Sequence, residues 1–181
     1  MSEWSVAQET TTARRRHGQS RAPPSPNTIP PPIPEGFMLV HFDGATKALV
    51  GGAIGFVGLS SQRAISFALG RFYTAFDHPF LIELMALRDD MRWCLSHSIT
   101  NVLFCGDAQV VIRMIAANDS SHALGGAILK EVQVLRTSLA RVSFHFAPCR
   151  YNRAAHTVAK HALSSMVPHL VDHRIVLFSF A

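Results

Sequence analysis

The sequence predicts an α/β domain in which helices flank a five-stranded mixed sheet of three antiparallel and two parallel strands. Three short apolar segments come first and are joined by short loops, which is typical of an antiparallel meander. Two further apolar segments then alternate with stretches of helical periodicity, which is typical of parallel strands joined by right-handed helical crossovers. The chain has 181 residues and is 48% hydrophobic, enough for one core.

The predicted elements follow one another in the order β-β-β-α-β-α-α-β-α. The strands are short apolar runs at 37–43, 50–57, 64–69, 101–105 and 141–146. The helices carry apolar residues at the spacing of one helical face, at 80–95, 108–117, 124–139 and 155–166. The last segment, 171–181, fits either a further strand or a packing tail.

The first 36 residues differ from the rest in composition, because they are polar and then rich in proline (APPSPNTIPPPIPEG). Proline lacks a backbone N–H and fixes φ, so such a stretch favours extended segments over core elements. We expect a disordered Pro-rich leader over 1–36, the folded domain over 37–170 and a C-terminal tail over 171–181.

Composition also narrows the class of protein. No apolar stretch reaches membrane-spanning length, and the first residues lack the apolar region of a secretory signal peptide. We therefore expect an intracellular monomer with no membrane partner. Nucleus and cytoplasm stay open. Three cysteines without a CxxC spacing indicate free thiols. The net charge of +5 permits a nucleic-acid partner.

Three carboxylates occupy positions that would bring them together. Asp43 ends the first apolar run, Asp107 follows the fourth, and Glu83 opens an amphipathic helix between them. Ligands of such sheets bind at the carboxyl ends of parallel strands, so Asp43 and Asp107 should meet there. Taken singly, each acid has a structural explanation as a turn, a cap or a helix-dipole partner. Their order within this β/α pattern favours a shared metal site instead, because clustered carboxylates can hold two divalent ions.

Four segments carry a resemblance that covers roughly residues 30–168: PPPIPEGFMLVHFDGA, IELMALRDDM, VLFCGDAQVVIRMI and FHFAPCRYNRAAHTVAKHAL. In these segments the chain resembles the plant reverse-transcriptase-like branch of the type 1 ribonuclease H family, which occurs in non-LTR retrotransposon proteins or as remnants of them. The resemblance implies a ribonuclease H-like fold and hydrolysis of the RNA strand of RNA–DNA hybrids, independent of sequence and dependent on two Mg²⁺ or Mn²⁺ ions.

The resemblance also implies roles for single residues. Asp43 would bridge both metals, and Glu83 and Asp107 would hold one of them and help to position the scissile phosphate. His156 stands where the family has a fourth acid, and an imidazole suits Mn²⁺ better than Mg²⁺. A structural histidine in the first turn of the helix is the alternative for His156.

Basic residues near the last helix would bind the nucleic acid. Arg150, Arg153 and Lys160 are expected to contact phosphates, which gives affinity without sequence selectivity. Selectivity for a hybrid requires contacts to RNA 2′-hydroxyl groups. The backbone at Gly44 and Ala45 and the side chain of Asn152 are the candidates for those contacts.

Two other functions remain in competition with the hybrid nuclease. The first is a nucleic-acid-binding module that kept the fold and lost activity, which His156 and the absence of a basic protrusion in AANDSSHALGG favour. The second is a 3′–5′ exonuclease of the related fold. That group carries Asp-x-Glu in its first strand, and Ala45 stands where the glutamate would be, so we discount it.

Overall fold

The computed structural model describes residues 31–174. Residues 1–30 of the predicted leader and residues 175–181 of the predicted tail lie outside this range. The strands are β1 (Met38–Lys47), β2 (Gly51–Leu59), β3 (Ile65–Thr74), β4 (Asn101–Gly106), β5 (Arg141–Phe146) and β6 (Val171–Asp172). The helices are α1 (Pro79–Ser96), α2 (Gln109–Ala116), α3 (Gly126–Ser138) and α4 (Arg153–Ser165), and a short 3-10 helix spans Cys149–Tyr151.

The six strands form one mixed sheet in the order β5-β4-β1-β2-β3-β6. β1, β2 and β3 pair antiparallel, and β4 pairs parallel with both β1 and β5. The predicted fold class is therefore confirmed, with one correction: residues 31–174 form six strands instead of the five predicted. The additional strand β6 lies in the predicted tail and pairs antiparallel with β3 through only two residue pairs.

Successive side chains of each strand point to opposite faces of the sheet, so the core has one layer on each face. Phe42 of β1 and Phe56 of β2 are fully buried in the main cluster, which also contains α1 residues such as Leu84. On the other face, α4 packs over β1, β2 and β3, where Val57 contacts Val158. Helices therefore cover both faces at β1, which leaves the ends of β1 and β4 as the place where a site can open between layers.

The sheet has a notch between β1 and β4. Parallel pairing of these strands ends at His41 opposite Cys105, whereas β1 stays paired with β2 as far as Lys47. Asp43 was predicted to end its strand, and this is wrong: it lies in the middle of β1, opposite Gly55 of β2. β4 ends at Gly106, so Asp43 is paired with β2 on one side and lies beyond the end of the β1–β4 pairing on the other.

One segment of the predicted leader contacts the domain. Ile33 packs against a small cluster on the sheet that contains Leu39 and Leu103, and the N–H of Phe37 donates to the carbonyl of Pro34 at 3.1 Å. The boundary at residue 37 stays a prediction. Within residues 31–174, no helix has the length and hydropathy needed to cross a membrane.

Candidate active site

Asp43 is held in the notch by its strand and by α4. Its side chain lies on the α4 side of the sheet and is almost fully buried, with 2% of the residue exposed. The Nδ1 atom of His156, in the first turn of α4, lies 2.7 Å from Oδ2 of Asp43. The imidazole is half exposed, so this contact connects a buried carboxylate to the surface.

Glu83 reaches the same notch from α1 because β1 and α1 approach unusually closely there. A Cβ atom at Gly44 would lie 2.6 Å from Cγ2 of Ile82 and 3.1 Å from the backbone nitrogen of Glu83, so only glycine fits without a shift. The N–H of Gly44 donates to the carboxylate of Glu83. The other oxygen, Oε2, is buried without a hydrogen-bond partner, which is costly for a carboxylate unless a cation or proton satisfies it.

Asp107 follows β4 directly, at the head of α2. It does not cap that helix, since the residue at the N-cap position is Ala108 and no side chain caps the first turn. The thiol of Cys149, in the 3-10 helix, donates to the Asp107 carboxylate. The structural explanation of Asp107 as a helix cap therefore fails, and its carboxylate is left to face the notch.

The three carboxylates converge: one oxygen from each of Asp43, Glu83 and Asp107 lies within 4.8 Å of the others. Burial, and then the charge of Asp107, raises the pKa of Asp43 to about 7, although the hydrogen bond from His156 acts in the opposite direction. Burial, and then the charges of Asp43 and Asp107, raises the pKa of Glu83 to about 9. Without a cation, the site therefore resists full ionisation.

These residues fit a hard divalent cation. All three donors are carboxylate oxygens, which Mg²⁺ and Mn²⁺ prefer, and the unpartnered Oε2 of Glu83 points to a missing partner. A bound cation would also offset the repulsion that raises both pKa values. His156 contacts Asp43 but is not a member of this group of donors, among the residues that the structure describes.

The predicted nucleic-acid residues separate into exposed and buried ones. Arg150 and Arg153 line a cleft of about 280 Å³ together with Asp107 and His156. The guanidinium of Arg150 also lies 4.8 Å from the centre of the Tyr151 ring.

Lys160 extends this basic surface along α4. It is exposed and lies one helical turn beyond His156, on the same face of the helix. All three cations are therefore exposed, with Arg150 and Arg153 beside Asp107 in the cleft and Lys160 further along α4.

Asn152 connects α4 to β1. It is fully buried, its Nδ2 donates to the carbonyl of Phe42 at 2.9 Å, and its Oδ1 lies 3.2 Å from Nδ1 of His41. These bonds tie the start of α4 to β1 just before Asp43. Asn152 therefore holds the site together, and its role as a contact to the nucleic acid stays a prediction.

Gly44 and Ala45 are also more enclosed than the sequence predicts. Ala45 is buried with 8% exposure, and Gly44 carries the close contact with α1. Two features of the site were not predicted from the sequence: the hydrogen bond from the Cys149 thiol to Asp107, and the His41–Asn152 pair. Cys149 lies three residues after the end of β5 and gave no sequence signal, because its contact depends on the turn of the 3-10 helix.

Comparisons with known proteins agree with this architecture. A family model described as "Reverse transcriptase-like" matches residues 41–162. No curated protein matches the chain.

Solved structures show the same fold. RNase H1 from the archaeon Halobacterium salinarum is 20% identical, with a TM-score of 0.64 over 71% of this chain and 98% of that one. The N-terminal RNase H domain of a Mycobacterium tuberculosis protein is 14% identical, with a TM-score of 0.64 over 70% and 98%. LC11-RNase H1, isolated from compost, was solved with an RNA/DNA hybrid; it is 11% identical, with a TM-score of 0.64 over 71% and 97%.

The family match spans β4, β5, the acidic cluster and most of α4. The first two structural matches cover 98% of the RNase H chains concerned. The chain therefore belongs to the reverse transcriptase-like family and has the ribonuclease H fold.

Proposed function

We propose that this domain is a divalent-metal-dependent endonuclease that hydrolyses the RNA strand of RNA–DNA hybrids without sequence preference. The observation that carries the proposal is the convergence of Asp43, Glu83 and Asp107 within 4.8 Å, with a buried Oε2 of Glu83 that has no partner. The hybrid bound to LC11-RNase H1, a protein of the same fold, supports the choice of substrate.

The three carboxylates would hold two Mg²⁺ or Mn²⁺ ions. When bound, such ions supply an activated water and stabilise the leaving oxygen of the phosphodiester. The protein itself positions the charges: Gly44 donates to Glu83 and fixes its approach, and Cys149 donates to Asp107. His156 stabilises the ionised form of Asp43 through its Nδ1 hydrogen bond.

The surface beside the site supplies phosphate binding. Arg150 and Arg153 are exposed and line the cleft, and Lys160 is exposed further along α4; all three would contact the phosphates of the substrate. Such contacts carry no sequence information, which agrees with the absence of sequence preference in the proposal. An origin in a plant retrotransposon and an intracellular location stay predictions.

A catalytically weakened nucleic-acid-binding module is the second candidate. The observation that favours it is the contact between His156 and Asp43, because the imidazole occupies Oδ2 of the carboxylate at 2.7 Å. In that case the cations beside the cleft would bind a hybrid and the carboxylates would not support cleavage.

The test is cleavage of a short hybrid with a label on either strand, in Mg²⁺ and in Mn²⁺. The wild type should cleave only the RNA strand, and Asp107→Asn should lose at least about 100-fold in rate, since metal stabilisation of charge contributes several kcal/mol. Asp119→Asn is the matched control, because that aspartate lies outside the acidic cluster and accepts hydrogen bonds from Ser121. Binding without cleavage by the wild type would favour the second candidate.

A further inference from the structure

The chain that follows α4 is fastened along the free edge of β3. This segment, residues 167–173, lies beyond the part that matches the family model. Its contacts to β3 are three hydrogen bonds at the backbone: Phe72 N–H to Val167 O at 2.9 Å, Arg71 Nε to Pro168 O at 2.9 Å and His173 N–H to Ala68 O at 2.7 Å. Together with β6 they close the edge of the sheet, which would otherwise expose unpaired backbone groups.

A pair of histidines connects this segment to α4. The Nδ1 atoms of His161 and His173 lie 2.9 Å apart, and the two rings meet edge to face with centroids 4.9 Å apart. His161 is exposed on α4, whereas His173 is only 4% exposed. The His173 ring packs closely against Gly70, since a Cβ atom at that glycine would lie 2.8 Å from the ring.

The pair can form only when at least one ring is neutral. A hydrogen bond between two Nδ1 atoms needs one protonated donor and one bare acceptor, and two imidazolium rings offer two donors and no acceptor. Two positive charges would then also face each other in a largely buried place, which disfavours the docked arrangement. Whether the pair forms therefore depends on the protonation state of the two rings.

Charged neighbours do little to compensate. Burial, and then the charge of His161, lowers the pKa of His173, while Asp172 raises it. Asp172 is itself paired with Arg174 at 2.6 Å, so its charge is shared. On the β3 side, the Arg71 side chain donates to the Pro168 carbonyl and lies 3.7 Å from the Asp89 carboxylate.

We propose that His161 and His173 form a pH-sensitive clasp that holds residues 167–173 on β3 and releases them below about pH 6.5, which exposes the edge of β3. The sign follows from linkage. When the segment is released, His173 regains an ordinary pKa and takes up a proton that the docked form excludes. Docking is thus fully stable above about pH 6.5 and weakens as the pH falls below it.

Hydrogen exchange of the full chain, measured by mass spectrometry at pH 7.5 and 5.5 and corrected for intrinsic exchange, tests the clasp. Below about pH 6.5 the released segment takes up one additional proton, which weakens docking about tenfold per pH unit. Protection of the 167–173 segment and of the Phe72 amide should therefore be about tenfold lower at pH 5.5 than at pH 7.5. Peptides from α1 should keep their protection, which distinguishes local release from unfolding of the domain.

Two exposed histidines provide the variants. His161→Gln removes the second charge and keeps a hydrogen-bonding group, so the fall in protection should shrink to about threefold or less. His169→Gln, in the same segment but outside the pair, should behave as the wild type. Equal protection of the wild-type segment at both pH values would overturn the proposal, and so would an undiminished fall in His161→Gln.

Discussion

Replacing Glu83 by glutamine should stabilise the metal-free protein. The wild-type carboxyl has a pKa of about 9 in the folded state, against 4.5 in its ordinary state, because it is buried beside two other acids. Between these values the folded protein keeps a proton that the unfolded chain releases, so stability falls as the pH rises. Glutamine is neutral throughout, and its amide can donate to the neighbouring carboxylates.

The size of the effect follows from the two pKa values. Each pH unit above 4.5 costs the wild type about 1.4 kcal/mol, which amounts to about 3 kcal/mol at pH 7. The gain of Glu83→Gln should therefore be about 3 kcal/mol at pH 7 and close to zero near pH 4.5. In a domain of this size it corresponds to a rise of about 10 °C in Tm.

Urea unfolding in a chelator at several pH values measures this gain. Glu131→Gln is the control, since that side chain is partly exposed and paired with Arg92 on the surface. In excess Mn²⁺ the wild type should become more stable than Glu83→Gln, because only the wild type keeps all three carboxylates and is stabilised by binding the metal. A variant that is no more stable than the wild type at pH 7 would refute the assignment of Glu83 to a charged, closed cluster.

Three further changes probe the supports of the site. Gly44→Ala forces a Cβ atom against Ile82 and should cost about 1–3 kcal/mol in urea unfolding; an unchanged midpoint would contradict the close contact of β1 with α1. Asn152→Ala leaves the Phe42 carbonyl without its buried donor and should cost about 1–3 kcal/mol, whereas a residue that only binds nucleic acid would change Kd and leave stability intact. His156→Ala removes the bond that lowers the pKa of Asp43, so the pH profile of cleavage should shift upward, and His156→Asp should raise the rate in Mg²⁺; identical profiles and rates for all three proteins would make His156 a bystander.

The sequence was informative where apolar periodicity is strong. Phe42 and Phe104 are both fully buried, and each lies in a short apolar run that predicts a strand leading towards an acid. The parallel pairing of β1 with β4 follows from the helical crossover between them, which is why Asp43 and Asp107 were expected at one edge.

Other features depend on contacts that no local pattern records. β6 has only two residues, too few for any periodicity, and it is fixed by the edge of β3 instead. Asn152 was predicted only as a candidate contact to RNA 2′-hydroxyl groups, and no local pattern indicates that the crossing of α4 over β1 buries it. The length of β1 beyond Asp43 was missed because Gly44 and Ala45 suggested a turn.

The central claim is that Asp43, Glu83 and Asp107 bind divalent metal, and calorimetric titration with Mn²⁺ at pH 7.5 in buffers of different ionisation enthalpy tests it most directly. Because the pKa of Glu83 is about 9, metal binding should release a proton from the wild type, and Glu83→Gln should release fewer. Asp43→Asn should lose most of the affinity, and Asp119→Asn, which lies outside the acidic cluster, should keep it. Equal Mn²⁺ affinity and equal proton release in the wild type and Asp43→Asn would contradict the claim.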